Sequence, residues 1–468
     1  MSLILRITTL INYECNAYRR QLPHWRLVED VYQGDSAWID IQPDGTAKAT
    51  ARARRYLPQM PGESDPDYQS RLVQSHFSDR FGQAVRDFVG MIFNNGVRLV
   101  DVPHPIREHW HSLDGDRMTG DRLCALLGMR SLRLGHTFCL IDFPTANDSV
   151  VSLADTLIAG RQPFWSPISP MQVINWRYHM VGNRKVLAWA VLRSQVIEAD
   201  GTYGESEQTY YCLLRPGRFD TYQVVKGRDG KPQQVHRPEK SGVMGRRVRG
   251  RLVPFKAIPL ICLYGGDRTG FFESNPTLLS MAKLNISHYQ VKSDHRQKMH
   301  YCCFPSPVRV GGDGSDLTLG PRSVVDVPIG GAFAWAEPNA NSLYASRQEV
   351  QDIEQELNFL GADFLVKPSD RQAAMTSIIQ ATTIESELYL FASDFALGIT
   401  ECLSWHAQYL GLANGGRAEL DTQFFRDLSA DPQLLQVLVQ MREREDITRE
   451  ELRAVAQRKH LLPGDDDR

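Results

Sequence analysis

The chain of 468 residues has no run of about 18 apolar residues, the length that a membrane-spanning helix needs, so no transmembrane helix is expected. Its first residues, Met1 to Ile7, lack a basic stretch followed by an apolar core and a cleavage site, so no secretory signal is predicted. There is no excess of basic charge, since 53 basic residues face 55 acidic ones. A tight sequence-specific DNA-binding protein usually has such an excess, whereas a surface along which DNA slides does not require it.

The common signatures of catalysis are also missing. The sequence contains no Walker A motif, no GxGxxG before a helix, no GxSxG and no HExxH. No CxxC pair occurs among the eight cysteines, which are Cys15, Cys124, Cys139, Cys212, Cys262, Cys302, Cys303 and Cys402. Most lie in apolar surroundings, which indicates buried free thiols in a reducing cytosol. We therefore predict a protein that is not an enzyme and that holds no cofactor and no metal.

Three short stretches allow a catalytic interpretation, and a structural one is favoured for each. Gly311–Gly314 follows a strand pattern and leads into another, which indicates a hairpin turn rather than a phosphate-binding loop. His104, His109 and His111 cluster, but a metal site would need further ligands in a defined geometry. Asp294-His295 could be part of a nuclease, although a solvated helix face is the more ordinary origin of such a pair.

The first half of the chain predicts a mixture of helices and strands. Helices are expected over Tyr13–Tyr32, over Asp65–Asn94 with Asp65 as the cap, and over Thr119–Leu134. From Phe164 to Tyr264 the pattern is rich in β-branched and aromatic residues separated by turn signals, which indicates strands. Within that stretch the basic run Gly245–Arg251 is predicted to be a solvated loop.

The stretch that begins at Asn275 is the most informative. A polar, basic helix is predicted over Asn275–Cys303, and a Gly/Pro-rich stretch with β character, Phe304–Leu343, follows it. An acidic helix is predicted over Tyr344–Ala362. After a polar break at Lys367–Arg371, a long apolar helix is predicted over Gln372–Leu412, with Gly398 as a place to bend.

Two of these helices lack the broad apolar face that a monomer would bury. The basic helix carries four residues spaced so that they share roughly one face, which are Lys292, His295, Arg296 and Lys298. The acidic helix has a narrow apolar seam, formed by Val350, Ile353, Leu357 and Leu360, and acids around it that include Glu349, Asp352 and Glu356. A narrow seam suits packing against one neighbouring helix, so we expect the two helices to pair within a subunit or between subunits.

Short motifs occur in a specific order along most of the chain. They are Tyr56–Pro58, Asp67–Leu72, Val89–Phe93, Arg133–His136, Leu140–Pro144, Val173–Trp176, Leu284–Tyr289, Phe304–Pro307, Leu360–Ala362 and Asp421–Phe425. Each is weak alone, but together they resemble the portal protein family of tailed bacteriophages over roughly residues 13 to 460. The chain departs from the family at Arg371–Ala374, where the entry to the long helix is usually rich in glutamate.

The resemblance implies an α+β portal fold and a dodecameric ring at one vertex of the capsid. Its parts would be a wing (1–273 and the long helix 373–420), a stem (274–303 and 344–365), a clip (304–343), a tunnel loop (366–372) and a helical crown with the tail (421–468). The ring would conduct double-stranded DNA without sequence specificity during packaging and ejection. Its other partners would be the terminase large subunit, a head-tail adaptor, the major capsid protein and a scaffold. The location would be the virion, and the host cytoplasm during assembly, with no membrane partner.

The resemblance also implies roles for individual residues. The tunnel loop would present Lys367, Ser369, Asp370 and Arg371 to the DNA channel, and Lys367 and Arg371 are predicted to lie near phosphates. The stem would use Lys292, His295, Arg296, Lys298, Glu349, Asp352 and Glu356. The clip would dock terminase and adaptor through Phe304, Arg309, Asp313, Asp316 and Arg322. The alternatives are a DNA-processing enzyme that uses the same basic helix, and another head-tail connector ring.

Overall fold

A computed structural model describes residues 10–42, 44, 47–114, 116–142, 162–201, 203–227, 231–248, 251–303, 306–310, 330–336, 340–360, 371–422 and 424. Helices and strands are both abundant in these residues, in agreement with the predicted α+β class. None of the helices in this part of the chain is long and apolar enough to cross a membrane. The division into wing, stem, clip, tunnel loop and crown stays a prediction.

The helices carry the labels used below. They are α1 (Asn16–Gln33), α2 (Ala51–Tyr56), α3 (Asp65–Gln74), α4 (Arg80–Phe93), α5 (His104–His109), α6 (Gly120–Leu134), α7 (Leu279–Cys303), α8 (Ala340–Leu360) and α9 (Arg371–Leu410). The predicted central helices are therefore confirmed within a few residues at each end.

The strands are short at the two ends of the chain and long in the middle. They are β1 (Ile39–Ile41), β2 (Ala47–Ala49), β3 (Arg98–Val100), β4 (His136–Asp142), β5 (Phe164–Ile168), β6 (Val173–Val181), β7 (Arg184–Asp200), β8 (Gly204–Arg215), β9 (Arg218–Lys226), β10 (Pro232–Val243), β11 (Gly245–Val248), β12 (Arg251–Pro254), β13 (Leu260–Tyr264), β14 (Arg268–Gly270), β15 (Glu273–Ser274), β16 (Ser306–Val310), β17 (Ala332–Ala336) and β18 (Arg417–Glu419).

The described residues form two compact units, each assembled from separate segments of the chain. The first unit draws on residues 1–25, 85–277 and 365–468. The second unit draws on residues 26–84 and 278–364, so it contains α7 and α8 together with α2 and α3.

The first unit contains a five-stranded antiparallel sheet in the order β10-β9-β8-β7-β6. Its strands coincide with the β-like stretch that the sequence predicts. The basic run Gly245–Arg251 is not a loop, because β11 and β12 pair from Gly245↔Pro254 to Val248↔Arg251. The base of this hairpin is anchored, since the buried Met244 donates its N–H to Gly217 O and accepts from Phe255 N–H.

The core of the first unit lies between a three-stranded sheet, β13-β4-β5, and two helices. Helix α6 begins at the cap Thr119 and ends at Gly135, whose φ of 84° favours glycine. Helix α9 packs on β13, and Gly398 allows the close approach, since a Cβ there would lie 2.8 Å from Leu263 Cδ2. The helix continues through Gly398, so this glycine serves close packing and does not end the helix.

The prediction of one helix over Asp65–Asn94 is wrong, because this stretch forms two helices: α3 ends at Gln74 and α4 starts at Arg80. Ser75 Oγ donates to the carbonyl of Arg71, and Asp79 Oδ1 accepts from Gly82 N–H, so polar side chains close one helix and open the next. The cap of α3 is also different, since Ser64 Oγ accepts from Asp67 N–H and Asp65 lies in the first turn.

Candidate functional site

The polar helices α7 and α8 pack against each other in the second unit and run antiparallel. His288 Nε2 lies 3.1 Å from Glu354 Oε1, and His295 Nδ1 lies 3.2 Å from Ser346 Oγ. The two histidines are seven residues apart and so project from one face of α7. Between the helices the chain forms the hairpin β16–β17, with Ser306 paired to Ala336 and Val310 to Ala332. The predicted pairing of the two helices is therefore present within one chain.

The electrostatics at His288 indicate a neutral ring. Burial lowers its pKa, although the hydrogen bond with Glu354 acts in the opposite direction. An ionised carboxylate can only accept, so Nε2 carries the proton that is donated to Glu354. The other ring nitrogen, Nδ1, has no hydrogen-bond partner within the described residues. His288 thus links the helices as a neutral donor rather than as a cation.

A second side of α7 is bonded to the segment between α3 and α4 and to the first turn of α4. Asn285 is fully buried; its Oδ1 accepts from Phe81 N–H at 2.9 Å and its Nδ2 donates to Ser78 O at 2.9 Å. Ser293 Oγ lies 2.7 Å from Ser75 Oγ. Polar side chains therefore provide part of the attachment that an apolar face would otherwise supply, which explains why the sequence of α7 shows no broad apolar stripe.

The four basic residues of α7 do not share one face, which corrects the sequence prediction. Lys292 Nζ donates to Ser78 Oγ at 3.1 Å, and Arg296 Nη1 donates to Gln74 O at 2.5 Å. His295 points instead to α8, and Lys298 is exposed. Spacings of three and four residues leave side chains about 60° and 40° apart, but the adjacent residues His295 and Arg296 differ by about 100°, and that spread divides the basic residues between two neighbours.

Three acids of α8 lie away from α7, whereas Glu354 contacts His288. Glu349, Asp352 and Glu356 are exposed, and Asp352 accepts from Gln348 Nε2 at 3.0 Å. Leu357 is the buried member of the predicted seam, and the other three members, Val350, Ile353 and Leu360, are half-buried. The prediction of a narrow apolar seam is therefore confirmed, and the acids lie outside it.

A polar cleft of about 210 Å³ lies between α3 and α7. It is lined by Asp67, Ser70, Arg71, Gln74, Ser75, Ser293, Arg296, Gln297 and His300. The buried cation, Arg71, is already neutralised by Glu63, with Nε–Oε1 at 2.7 Å and Nη2–Oε2 at 2.8 Å. The hydrogen bond from Arg71 holds the pKa of Glu63 below its usual range. This ion pair therefore joins α3 to the turn that precedes it.

The other predicted site residues belong to the predicted tunnel loop and clip. Lys367, Ser369 and Asp370 of the predicted tunnel loop lie outside the described residues, and Arg371 is the first residue of α9. In the predicted clip, Arg309 lies in β16 opposite Phe333, while Phe304, Asp313, Asp316 and Arg322 lie outside the described residues. In the part of the chain that the structure describes, no group of three or more His, Cys, Asp or Glu side chains could hold a metal ion.

Sequence reasoning missed two residues that position α7. The role of His288 could have been found from its seven-residue spacing to His295, which puts both on one face. Asn285 gave no signal of its own, because an asparagine within a helical pattern is normally exposed. Both residues lie within the motif Leu284–Tyr289 that carries part of the resemblance.

Comparisons with known proteins match this region. Residues 277–410, less than a third of the chain and the part that runs from α7 to α9, match a family described as a domain of unknown function, DUF4055. No curated protein matches the chain. One similar solved structure is the virion of a native gene transfer agent particle, at 11% identity, covering 87% of this chain and 97% of the matched one, with a TM-score of 0.37.

Two further structures are the neck of the native gene transfer agent particle computed with C12 symmetry and the neck of the empty particle computed with C6 symmetry. Both are 11% identical to this chain, with TM-scores of 0.36. The first covers 85% of this chain and 94% of the matched one, and the second covers 86% and 95%. At these TM-scores the likeness carries no conclusion about function.

Proposed function

We propose that the chain is the subunit of a portal ring in a tailed-phage-like particle, a dodecamer at one vertex of the capsid. The ring conducts double-stranded DNA during packaging and ejection, and it docks terminase and then a head-tail adaptor. It has no catalytic activity, and a separate terminase supplies ATP hydrolysis. The support is the ordered set of portal-like motifs along the chain together with the architecture of the second unit.

One observation carries the proposal. Helices α7 and α8 form an antiparallel pair with the hairpin β16–β17 between them, and the 40-residue helix α9 follows. This is the order of stem, clip, stem and long wing helix that the resemblance implies. Among the side chains of α8 that the structure describes, Ser346 and Leu357 are buried and the others are half-buried or exposed, which leaves surface for contacts with further subunits.

The proposal implies roles for the tunnel loop and the clip. Lys367 and Arg371 precede or begin α9 and would approach DNA phosphates from the tunnel loop, where few contacts per subunit would centre the duplex without holding it. The clip would seal the mouth of the ring by strand pairing between neighbours, because an isolated two-stranded hairpin is marginal in water. The wing and crown would meet the capsid protein and the scaffold.

The test is electron microscopy of the purified protein together with the mass of the particles in solution. The expected result is a ring with a central channel and a mass near twelve subunits of 53.0 kDa. Nuclease and ATPase assays on the same preparation distinguish the alternative class. A monomer that cuts DNA or hydrolyses ATP would contradict the proposal, as would particles without a channel when the protein is co-produced with a scaffold.

A further inference from the structure

The second unit carries opposite charges on opposite sides of α7. The basic side is α2, whose sequence is ARARRY. Ala53 and Tyr56 are its buried residues, so the three arginines, Arg52, Arg54 and Arg55, project away from the protein. Arg52 lies 3.5 Å from Asp30, while Arg54 and Arg55 make no ion pair with any other described residue. This group of three arginines is called the arginine patch below.

Helix α2, which carries the arginine patch, is bonded to α7. Gln290 of α7 donates from Nε2 to Tyr56 O at 2.9 Å. The ring of Tyr56 packs on Trp38 at 4.8 Å between centroids, and Trp38 packs on Tyr289 of α7 at 6.0 Å. At its other end α2 is capped by Thr50, which accepts from Ala53 N–H. A short helix fixed at both ends presents its arginines in a defined direction.

The acidic side is one flank of α8. Glu349, Asp352 and Glu356 are spaced by three and four residues, so they lie in one row along the helix. All three are exposed, and none pairs with a basic side chain among the residues that the structure describes. These residues are called the acidic row below.

The contacts of α7 place the two charged surfaces on opposite sides and at the same height. His288 contacts α8 and Gln290 contacts α2, and two residues correspond to about 200° around a helix, so the contacts point in nearly opposite directions. The contacts of His288 with Glu354 and of His295 with Ser346 fix the antiparallel register. In that register Asp352, the middle of the acidic row, lies level with Gln290 and therefore with the arginine patch.

We propose that the arginine patch of one copy docks against the acidic row of the next copy around the ring. The partner is a second copy of this chain, because one copy carries both complementary surfaces and cannot bring them together itself. A contact between two different surfaces is heterologous, and repeated heterologous contacts close into a ring when the rotation allows it. The inference rests on the proposed ring and adds the surfaces that set its register. Exposed ion pairs are individually weak, so their role is orientation and choice of neighbour more than affinity.

The first test is charge reversal with rescue. Arg54→Glu with Arg55→Glu, and Glu349→Lys with Glu356→Lys, are each expected to raise the subunit concentration for half-assembly about tenfold or more at physiological salt. All four substitutions in one chain should restore assembly, because the complementary surfaces are both reversed. The matched controls are Glu205→Lys and Arg122→Glu, two exposed charges of the first unit, which should leave assembly unchanged. Ring fraction is measured by mass photometry, and folding is checked by circular dichroism.

The second test measures the contact directly and does not depend on the folding of the reversed variants. Rings are assembled from a mixture of unlabelled and ¹⁵N-labelled Arg55→Lys subunits and treated with a carbodiimide, which joins an amine to a carboxylate in contact with it. The expected product joins Lys at position 55 to Glu349, Asp352 or Glu356, with hybrid isotope pairs that identify different chains. Wild-type rings carry arginine at this position and serve as the control without the cross-link.

The outcomes separate the inference from the ring itself. Rings that form normally in the reversed variants, or that give no hybrid cross-link, would overturn the inference and leave the ring intact. Loss of DNA binding with unchanged assembly in the arginine variant would overturn it in favour of a phosphate-binding patch. If the wild-type protein forms no ring with or without a scaffold, the proposed function and the inference fail together.

Discussion

Helices α8 and α9 differ in how much of their surface the subunit covers. Over its C-terminal half α9 buries one continuous apolar face, formed by Leu388, Phe391, Ala392, Phe395, Ile399, Cys402, Leu403 and Ala407. In α8, Ser346 and Leu357 are buried and most other described side chains are half-buried or exposed. The contrast shows that α9 belongs to the core of the chain, whereas α8 keeps surface that the rest of the described chain leaves uncovered.

The largest effect is expected in the apolar face of α9. Phe395 is fully buried, stacks on Phe391 at 5.4 Å and meets Phe93 edge-on at 5.8 Å. Phe395→Ala should cost about 3–5 kcal/mol in the free energy of unfolding, since it removes a large buried ring and leaves a cavity. Leu397→Ala is the matched control, because Leu397 lies on the same helix but is 69% exposed. Chemical denaturation measures both, and a cost for Phe395→Ala under 1 kcal/mol would show that the face is not a core.

The next effect concerns the polar attachment of α7. Asn285→Ala should cost about 2–3 kcal/mol in the free energy of unfolding, because it leaves the buried Phe81 N–H and Ser78 C=O without their partner. Ser287→Ala, a half-buried neighbour on another face of α7, should change it by less than about 0.5 kcal/mol. Equal effects of the two substitutions in denaturation experiments would mean that the amide does not hold the helix.

A smaller effect concerns the pH dependence of the free energy of unfolding, to which His406 in the core of α9 contributes. Burial lowers the pKa of His406 to about 3, and its Nδ1 accepts from Trp165 Nε1 at 3.2 Å. In the unfolded state His406 is protonated below about pH 6.5, whereas in the folded state it stays neutral there. The folded state therefore binds fewer protons, and the stability that His406 contributes is present above that pH and is lost as the pH falls below it. Lowering the pH from 7 to 5 should therefore lower the free energy of unfolding by about 2 kcal/mol through this residue.

The measurement compares unfolding of the wild type with that of His406→Gln at pH 7 and pH 5. The variant should lose stability at both values, but its dependence on pH should be weaker by about 2 kcal/mol. An unchanged pH dependence would show that His406 is protonated in the folded protein. His288 of α7, whose pKa burial also lowers, adds a dependence in the same direction in the second unit.

The smallest effect on the isolated subunit is expected at the acidic row of α8. Glu349→Gln with Glu356→Gln should change the free energy of unfolding by no more than about 0.5 kcal/mol, because both side chains are exposed. The same substitutions should weaken assembly, although less than charge reversal does. A loss above 1 kcal/mol in thermal or chemical unfolding would mean that the acids are already used within the subunit, and the contrast between α8 and α9 would then disappear.

Much of this fold could be predicted from local patterns. The apolar periodicity predicted α9, and the cap Thr119 and Gly135 predicted the two ends of α6. Stretches rich in β-branched residues predicted the strands β7 to β9. The break between α3 and α4 could not be predicted, because the apolar spacing continues across it. It depends on Ser75 and Asp79 bonding to nearby backbone groups and on Phe77, which packs on Trp38 at 5.2 Å.

The site was predictable in part. The sequence indicated that α7 and α8 would pair and that α8 would use a narrow seam, since both follow from spacing within one helix. It did not indicate which side of α7 each basic residue faces, and the arginines of α2 were not recognised. Their surroundings are set by segments more than 200 residues away, as the bond from Gln290 to Tyr56 illustrates.

The elements and the polarity of their faces follow from the local sequence, because side chains repeat with the period of a helix or a strand whatever surrounds them. Which faces meet depends on the tertiary fold. Lys292 was brought to Ser78 rather than to an acid, His288 was kept neutral by burial, and the acidic row was left exposed opposite the arginine patch. The physical reason is that charge, burial and hydrogen bonding depend on neighbours in space, which the order of residues along one helix does not contain.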